Sequence, residues 1–193
     1  YLMHIAADGS TIASLDLSDT NNEDNEDGMS GNLSSFAVDA AGNLYVSDYN
    51  NIYVLDAEGN VQFKLDGSQY NGSLCRLNAQ QVGVMWYNYT DDVNAADENG
   101  QYFVPIDLET KDWGEKVKLP SNVGSILPGD DAYDFYYTYN NNIYGYAAKT
   151  DTKEKLVDWL ACDVDTNNMS GYAMLSDSRV AALMQDWSTD PTT

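Results

Sequence analysis

Between Ser35 and Leu65 the chain reads SFAVDAAGNLYVSDYNNIYVLDAEGNVQFKL, four short strand-like runs cut by turn residues at near-equal spacing. Ser35–Asp39 leads into Ala40-Ala41-Gly42-Asn43, and Leu44–Asp48 into Tyr49-Asn50-Asn51. Ile52–Asp56 then leads into Ala57-Glu58-Gly59-Asn60, and Val61–Leu65 completes the set. Gly-Asn supplies the positive-φ positions that close tight turns between antiparallel strands. Four such strands, apolar in the first half and weaker in the last, are what one blade of a β-propeller requires.

The unit recurs. Asn51–Asp66 (NIYVLDAEGNVQFKLD) aligns without gaps on Tyr1–Asp16 (YLMHIAADGSTIASLD), a period of 59 − 9 = 50 from Gly9 to Gly59. Ile52-Tyr53-Val54 returns as Ile143-Tyr144-Gly145, each after an Asn run and 143 − 52 = 91 residues apart; that is roughly two periods of a ~40–50-residue blade. Further strands are expected at Val82–Tyr87, Gln101–Asp107, Glu115–Leu119, Leu156–Leu160, Gly171–Leu175 and Arg179–Met184, the last two joined by the turn Ser176-Asp177-Ser178. A β-sandwich or barrel also shows a strand every ten residues or so. Turns returning at blade period favour the propeller.

The expected fold is therefore all-β, a β-propeller of four-stranded antiparallel sheets in a single domain over 1-193. The blades fall at approximately 1-17, 33-67, 74-120, 124-161 and 169-193. The chain opens with third and fourth strands (Leu2–Ala6, Thr11–Leu15) and ends with a first and a second. Either the two ends complete one closing blade in a ring of about four, or the chain is a fragment of a larger propeller. A start at Tyr1 without Met and a polar end from Ser188 to Thr193 favour the fragment.

With 193 residues the chain can bury roughly 70% of its unfolded surface, and its hydrophobic share of 43% excludes wholesale disorder. No apolar run is long enough to span a membrane. Nine basic against 31 acidic residues leave a net charge of −22. Such a surface repels phosphate backbones and anionic lipid, so neither nucleic acid nor direct membrane insertion is expected. Cations and neutral or basic ligands remain. Cys75 and Cys162 lie in different repeats and are read either as a disulfide or as free thiols.

Two acidic segments invite a cation. Asp16–Gly28 carries six carboxylates but lacks calcium-loop spacing and reads as a solvated connection. Asp163, Asp165 and Asn167 place oxygen side chains at positions one, three and five of a calcium-type loop, so a possible Ca²⁺ is assigned to them. The twelfth position is Met174, where a bidentate carboxylate would be needed. Catalysis has little to stand on, because His4 is the only histidine and lies in an expected strand. Aromatic side chains are the remaining handle. Strands alternate sides, so much of Phe135–Tyr139 reads as packing between sheets, whereas Trp86, Tyr89 and Trp113 lie in or near loops. Those three are the candidate ligand-binding residues, for a carbohydrate or a peptide held by stacking.

Val38-Asp39, Gly42-Asn43, Leu44-Tyr45-Val46-Ser47-Asp48, Asn50-Asn51, Ile52-Tyr53-Val54-Leu55-Asp56 and Glu58-Gly59 together resemble the NHL repeat, without its usual Arg after the Asn pair. Trp159–Asp186 (WLACDVDTNNMSGYAMLSDSRVAALMQD) is similar to a W-x-x-x-D-I-x-x-x-x-V-x-x-x-x-x-L-x-D-G-R motif. That motif occurs in the propeller preceding the substrate-binding domain of secreted solute-binding lipoproteins of Gram-positive gut bacteria; Ser178 stands where its Gly is expected. The resemblance implies an extracellular, surface-tethered, non-catalytic binding or scaffold module beside a neighbouring solute-binding domain, serving nutrient uptake or sensing. A glycan-active enzyme using a carboxylate pair and a ligand-free spacer are the alternatives.

Overall fold

At Gly42-Asn43 and Gly59-Asn60 in the computed structural model, an aspartate accepts hydrogen bonds from the backbone of the turn. The structure describes residues 2–5, 8–15, 33–48, 50–140, 142–163, 169–174 and 179–185. The acidic segment Asp16–Gly28 and the turn Ser176-Asp177-Ser178 lie outside them. Strands β3 (Ser35–Val38) and β4 (Leu44–Ser47) are joined through Gly42 at φ 91°, and β5 (Asn51–Leu55) and β6 (Val61–Asp66) through Gly59 at φ 90°. Glycine alone takes these angles without strain. At the first turn Asp39 Oδ1 accepts from the backbone N–H of Ala41 and of Asn43, both at 2.9 Å, and Oδ2 accepts from Asn43 Nδ2 at 2.8 Å. Asp56 repeats the pattern with Glu58 N (3.0 Å) and Asn60 N (2.8 Å). Many of the carboxylates behind the charge of −22 are thus turn anchors.

All sheets among the described residues are antiparallel meanders of consecutive strands, and no α-helix occurs there. No helix there is long and apolar enough to cross a membrane. Sheet I is β3-β4-β5-β6. Sheet II comprises β7 (Ser73–Arg76), β8 (Val82–Asn88), β9 (Gly100–Asp107), β10 (Asp112–Trp113) and β11 (Val117–Lys118). Its fourth strand is split at Gly114, so β10 and β11 each pair with β9, where the sequence implied one run over Glu115–Leu119. Sheet III comprises β12 (Ile126–Pro128), β13 (Phe135–Tyr139), β14 (Asn142–Ala147) and β15 (Thr152–Val157). Two-stranded hairpins stand at the ends: β1 (Leu2–Ile5) with β2 (Thr11–Leu15), and β16 (Met169–Met174) with β17 (Val180–Met184). His4 lies in β1, as its sequence position implied.

The expected strand Leu156–Leu160 is not formed. β15 ends at Val157 and the chain turns through Trp159–Asp163, with Cys162 N–H donating to Asp158 O at 3.1 Å and to Trp159 O at 3.2 Å. The apolar residues there mark a strand end from which Trp159 (7% exposed) turns inward against Tyr136 and Ile143.

Packing follows the pleat. Tyr45, Ile52, Val54 and Leu65 on one face of sheet I meet Leu74, Val82, Val84, Tyr102, Val104 and Ile106 of sheet II. The intervening positions Leu44, Val46, Tyr53 and Leu55 are buried together on the opposite face of sheet I. Sheet II turns Phe103, Cys75 and Met85 the other way, onto Phe135, Tyr137, Tyr144 and Tyr146 of sheet III. Tyr136 and Ile143 face away again, toward Met169, Tyr172 and Val180 of the last hairpin. Sheets buried on both faces lose polar alternation, and this is why Phe135, Tyr136 and Tyr137 are buried in succession. First strands of successive sheets adjoin, β3 with β7, β7 with β12 and β12 with β16. Hydrogen bonds from Leu74 N to Ser35 Oγ (3.2 Å), Ala40 N to Ala79 O (3.0 Å) and Gly129 N to Leu77 O (2.9 Å) fasten them.

Candidate functional site

At one end of sheets I and II, two connections are drawn together. The β4–β5 loop is capped by Asp48 (4% exposed), whose Oδ1 accepts from Asn50 N at 2.8 Å and Asn51 N at 2.6 Å while Tyr53 OH reaches Oδ2 at 3.4 Å. The β6–β7 connection begins with Asp66, which accepts from Ser68 N (2.9 Å) and Ser68 Oγ (2.6 Å). Those bonds hold the Asp66 carboxyl below its ordinary value. Gly67 N donates to Asn50 O at 2.8 Å and joins the two loops. Gly72 lets the connection lie against β8, where a Cβ would stand 2.2 Å from Met85 O.

Between these loops opens a cleft of about 300 Å³, lined by Ser34, Ser47, Asp48, Tyr70 and Asn71 together with Ile52, Gly67, Gly72 and Ser73. Ser34 Oγ lies 3.2 Å from Ser47 Oγ, and Ser47 Oγ donates to Asp48 O at 2.9 Å. Behind its wall, Tyr70 packs edge-on against Trp86 (5.1 Å between centroids, 77°) and Trp113 (5.0 Å, 79°). Trp86 also meets Tyr102 at 5.8 Å, and Lys116 Nζ lies 5.7 Å from the Trp86 ring and 5.2 Å from the Tyr102 ring. Edge-to-face pairs of this kind are worth about 0.5–1.5 kcal/mol beyond burial. The Tyr70 ring is therefore fixed before any ligand arrives.

Trp86 and Trp113, two of the three aromatic residues singled out in the sequence, are thus joined through Tyr70, half-buried at the seam between sheets. Tyr89 stands apart on the β8–β9 loop, 68% exposed, with its hydroxyl on Asp91 Oδ1 at 2.6 Å. That bond pushes the Tyr89 hydroxyl above its ordinary value. Tyr70, Asp48 and Ser47 carry the cleft and were not anticipated. Tyr70 follows the fourth strand in a polar stretch where no alternation marks it; an aromatic in a connection between sheets was the available signal.

Of the three candidate calcium ligands, Asp163 lies in the turn after Trp159 at φ 57°, and Asp165 and Asn167 lie outside the described residues. Among the described residues, no three His, Cys, Asp or Glu side chains converge as a metal site would require. Both cysteines are free.

A second cleft of about 200 Å³ occupies the corresponding place at the far end of sheet III. There the end of β13 (Tyr139) and the following turn residue Asn140 meet the connections carrying Asn122 and Trp159, with Tyr172 of β16 on the wall. Rings set beside polar acceptors can hold a polyhydroxylated molecule, with hydroxyls bonding to the oxygens and a C–H face lying on the ring. Compared with known proteins, the chain matches no protein family, no curated protein and no solved structure.

Proposed function

We propose that the protein is a non-catalytic β-propeller module that binds a carbohydrate in the cleft beside Tyr70. The propeller reading draws support from the four-stranded meanders, from the adjoining first strands, and from sheet II being buried on each face by a different neighbour. A sandwich has two layers, and each of its sheets has one inner face. The binding reading is carried by one observation: a ring held rigid by two tryptophans walls a cleft that Ser34, Ser47, Asp48 and Asn71 also line. Preorganised rings lose little freedom when a sugar settles on them. The NHL-like repeat and the solute-binding motif support an extracellular, surface-tethered setting beside a solute-binding domain.

Binding is tested on a glycan array, followed by calorimetry with the best sugars. Tyr70→Ala is expected to abolish binding and Asn71→Ala to weaken it, while Tyr89→Ala leaves it unchanged. A blank array, peptide binding alone, or sugar binding indifferent to Tyr70→Ala would reject the assignment.

A further inference from the structure

The chain has two Asn-Gly steps, Asn71-Gly72 and Asn99-Gly100, and the fold treats them oppositely. An asparagine before a glycine can close on itself. The glycine backbone nitrogen gives its proton to solvent and bonds to the asparagine Cγ; the Cγ–Nδ2 bond breaks, and the nitrogen leaves as ammonia after taking a proton from water. Water then opens the cyclic imide. Cleavage at Cγ gives aspartate, and cleavage at the main-chain carbonyl carbon gives isoaspartate. Glycine favours the ring because no Cβ obstructs it, and asparagine is for this reason a thermolabile residue. A fold suppresses the reaction by tying down the side-chain amide and by fixing the attacking backbone in a strand ladder.

Asn99 has both restraints. Its Oδ1 accepts from Thr90 N at 2.6 Å, its Nδ2 donates to Thr90 O at 3.1 Å, and Gly100 sits in the β9 ladder opposite Asn88. Asn71 has neither. It is exposed, its side-chain amide makes no hydrogen bond among the described residues, and Gly72 precedes the first residue of β7. The bonds that fix this connection, Ser68 to Asp66 and Gly67 N to Asn50 O, all lie before the step. We propose that Asn71 is a site of spontaneous modification, converting to aspartate and isoaspartate in the folded protein. Because Asn71 lines the cleft with Asp48, the product sets a second carboxylate there. Isoaspartate also lengthens the backbone where the connection has no slack, since a Cβ on Gly72 would stand 2.2 Å from Met85 O. The inference concerns the chain itself and holds whatever the cleft binds.

The test is to incubate the folded protein at mildly alkaline pH, digest it, and follow the peptides bearing Asn71 and Asn99 by mass spectrometry as an amide NH₂ is exchanged for OH. Asn71 is expected to convert about tenfold faster than Asn99, because two hydrogen bonds must be given up before the Asn99 amide can turn. In the urea-unfolded chain the two rates should converge. Isoelectric focusing of the intact folded protein should gain a more acidic band with time. Asn71→Gln, whose longer side chain closes poorly, should remove that band, and Asn99→Gln should leave it. Equal rates at the two steps in the folded chain would overturn the proposal. So would an Asn71 that survives in the folded protein over the time in which the unfolded chain loses it, or an acidic band that persists in Asn71→Gln.

Discussion

Replacing Asp39 by alanine tests whether the buried turn carboxylate is an anchor or an ornament of composition. Asp39 is 7% exposed and accepts four hydrogen bonds: Ala41 N, Asn43 N, Asn43 Nδ2 and, at 3.2 Å, the hydroxyl of Tyr45. Tyr45 is 1% exposed, so its hydroxyl has no route to water once the carboxylate is gone. An orphaned buried hydroxyl costs about 1–3 kcal/mol, and the two amide donors, nearer the surface, add about 0.5–1 kcal/mol each. The sum is about 3 kcal/mol, or roughly 6–12 °C in Tm for a domain of this size. Tyr45→Phe alone should cost about 1 kcal/mol. In the double variant the orphan no longer exists, so the two losses should fall short of additivity by about 1–2 kcal/mol. Chemical denaturation of the four proteins closes the cycle. Asp56→Ala is the internal control, since its turn has the same bonds in an exposed setting and should lose far less. If Asp39→Ala and Asp56→Ala are equally mild, or the cycle is additive, the anchor argument is wrong.

Gly83 faces the backbone of β9, and a Cβ there would stand 2.2 Å from Val104 O and 2.8 Å from Pro105 Cα. Gly83→Ala must force β8 from β9 and should cost about 2 kcal/mol or more in a denaturant melt, whereas Gly171→Ala meets nothing within 4 Å and should be mild. The Cys75 thiol is pushed up to about 12 by burial. At pH 8 a thiol reagent should modify exposed Cys162 within minutes and spare Cys75 until the chain unfolds. Burial, and then the charge of Asp39, raise the Tyr45 hydroxyl above its ordinary value. As pH rises the unfolded chain gives up that proton first, so the contribution is whole below about pH 10 and is lost above it. Tyr45→Phe should flatten the decline in Tm between about pH 9 and 11.

Sheet I could be read from the sequence almost residue by residue, because Gly42-Asn43 and Gly59-Asn60 sit where positive φ is needed and the strands between them, LYVS and NIYVL, are mostly apolar. The gapless match of 1–16 to 51–66 corresponds to one register and one shared bulge. Legibility fails where tertiary packing overrides local pattern. β15 reads TKEKLV and lies at an exposed edge, so its polar residues carry no strand signal; Trp159, just beyond it, reads as strand and is a turn residue folded inward. The cleft was half visible. Trp86 and Trp113 stand out by rarity, but Tyr70, Ser47 and Asp48 meet only through contacts between loops that sequence spacing does not encode.

The turn carboxylates Asp39, Asp56 and Asp66 are held by amide and hydroxyl donors, and the Lys155–Asp158 ion pair, at 2.6 Å, lies exposed at the surface. Ions in solution can therefore weaken what pushes this molecule apart while leaving intact what holds it together. Electrolyte shortens the reach of mutual repulsion among 31 acids to about 10 Å or less. Brine should act on this protein as a stabiliser, opposite in sign to its effect on a fold laced with opposed charges.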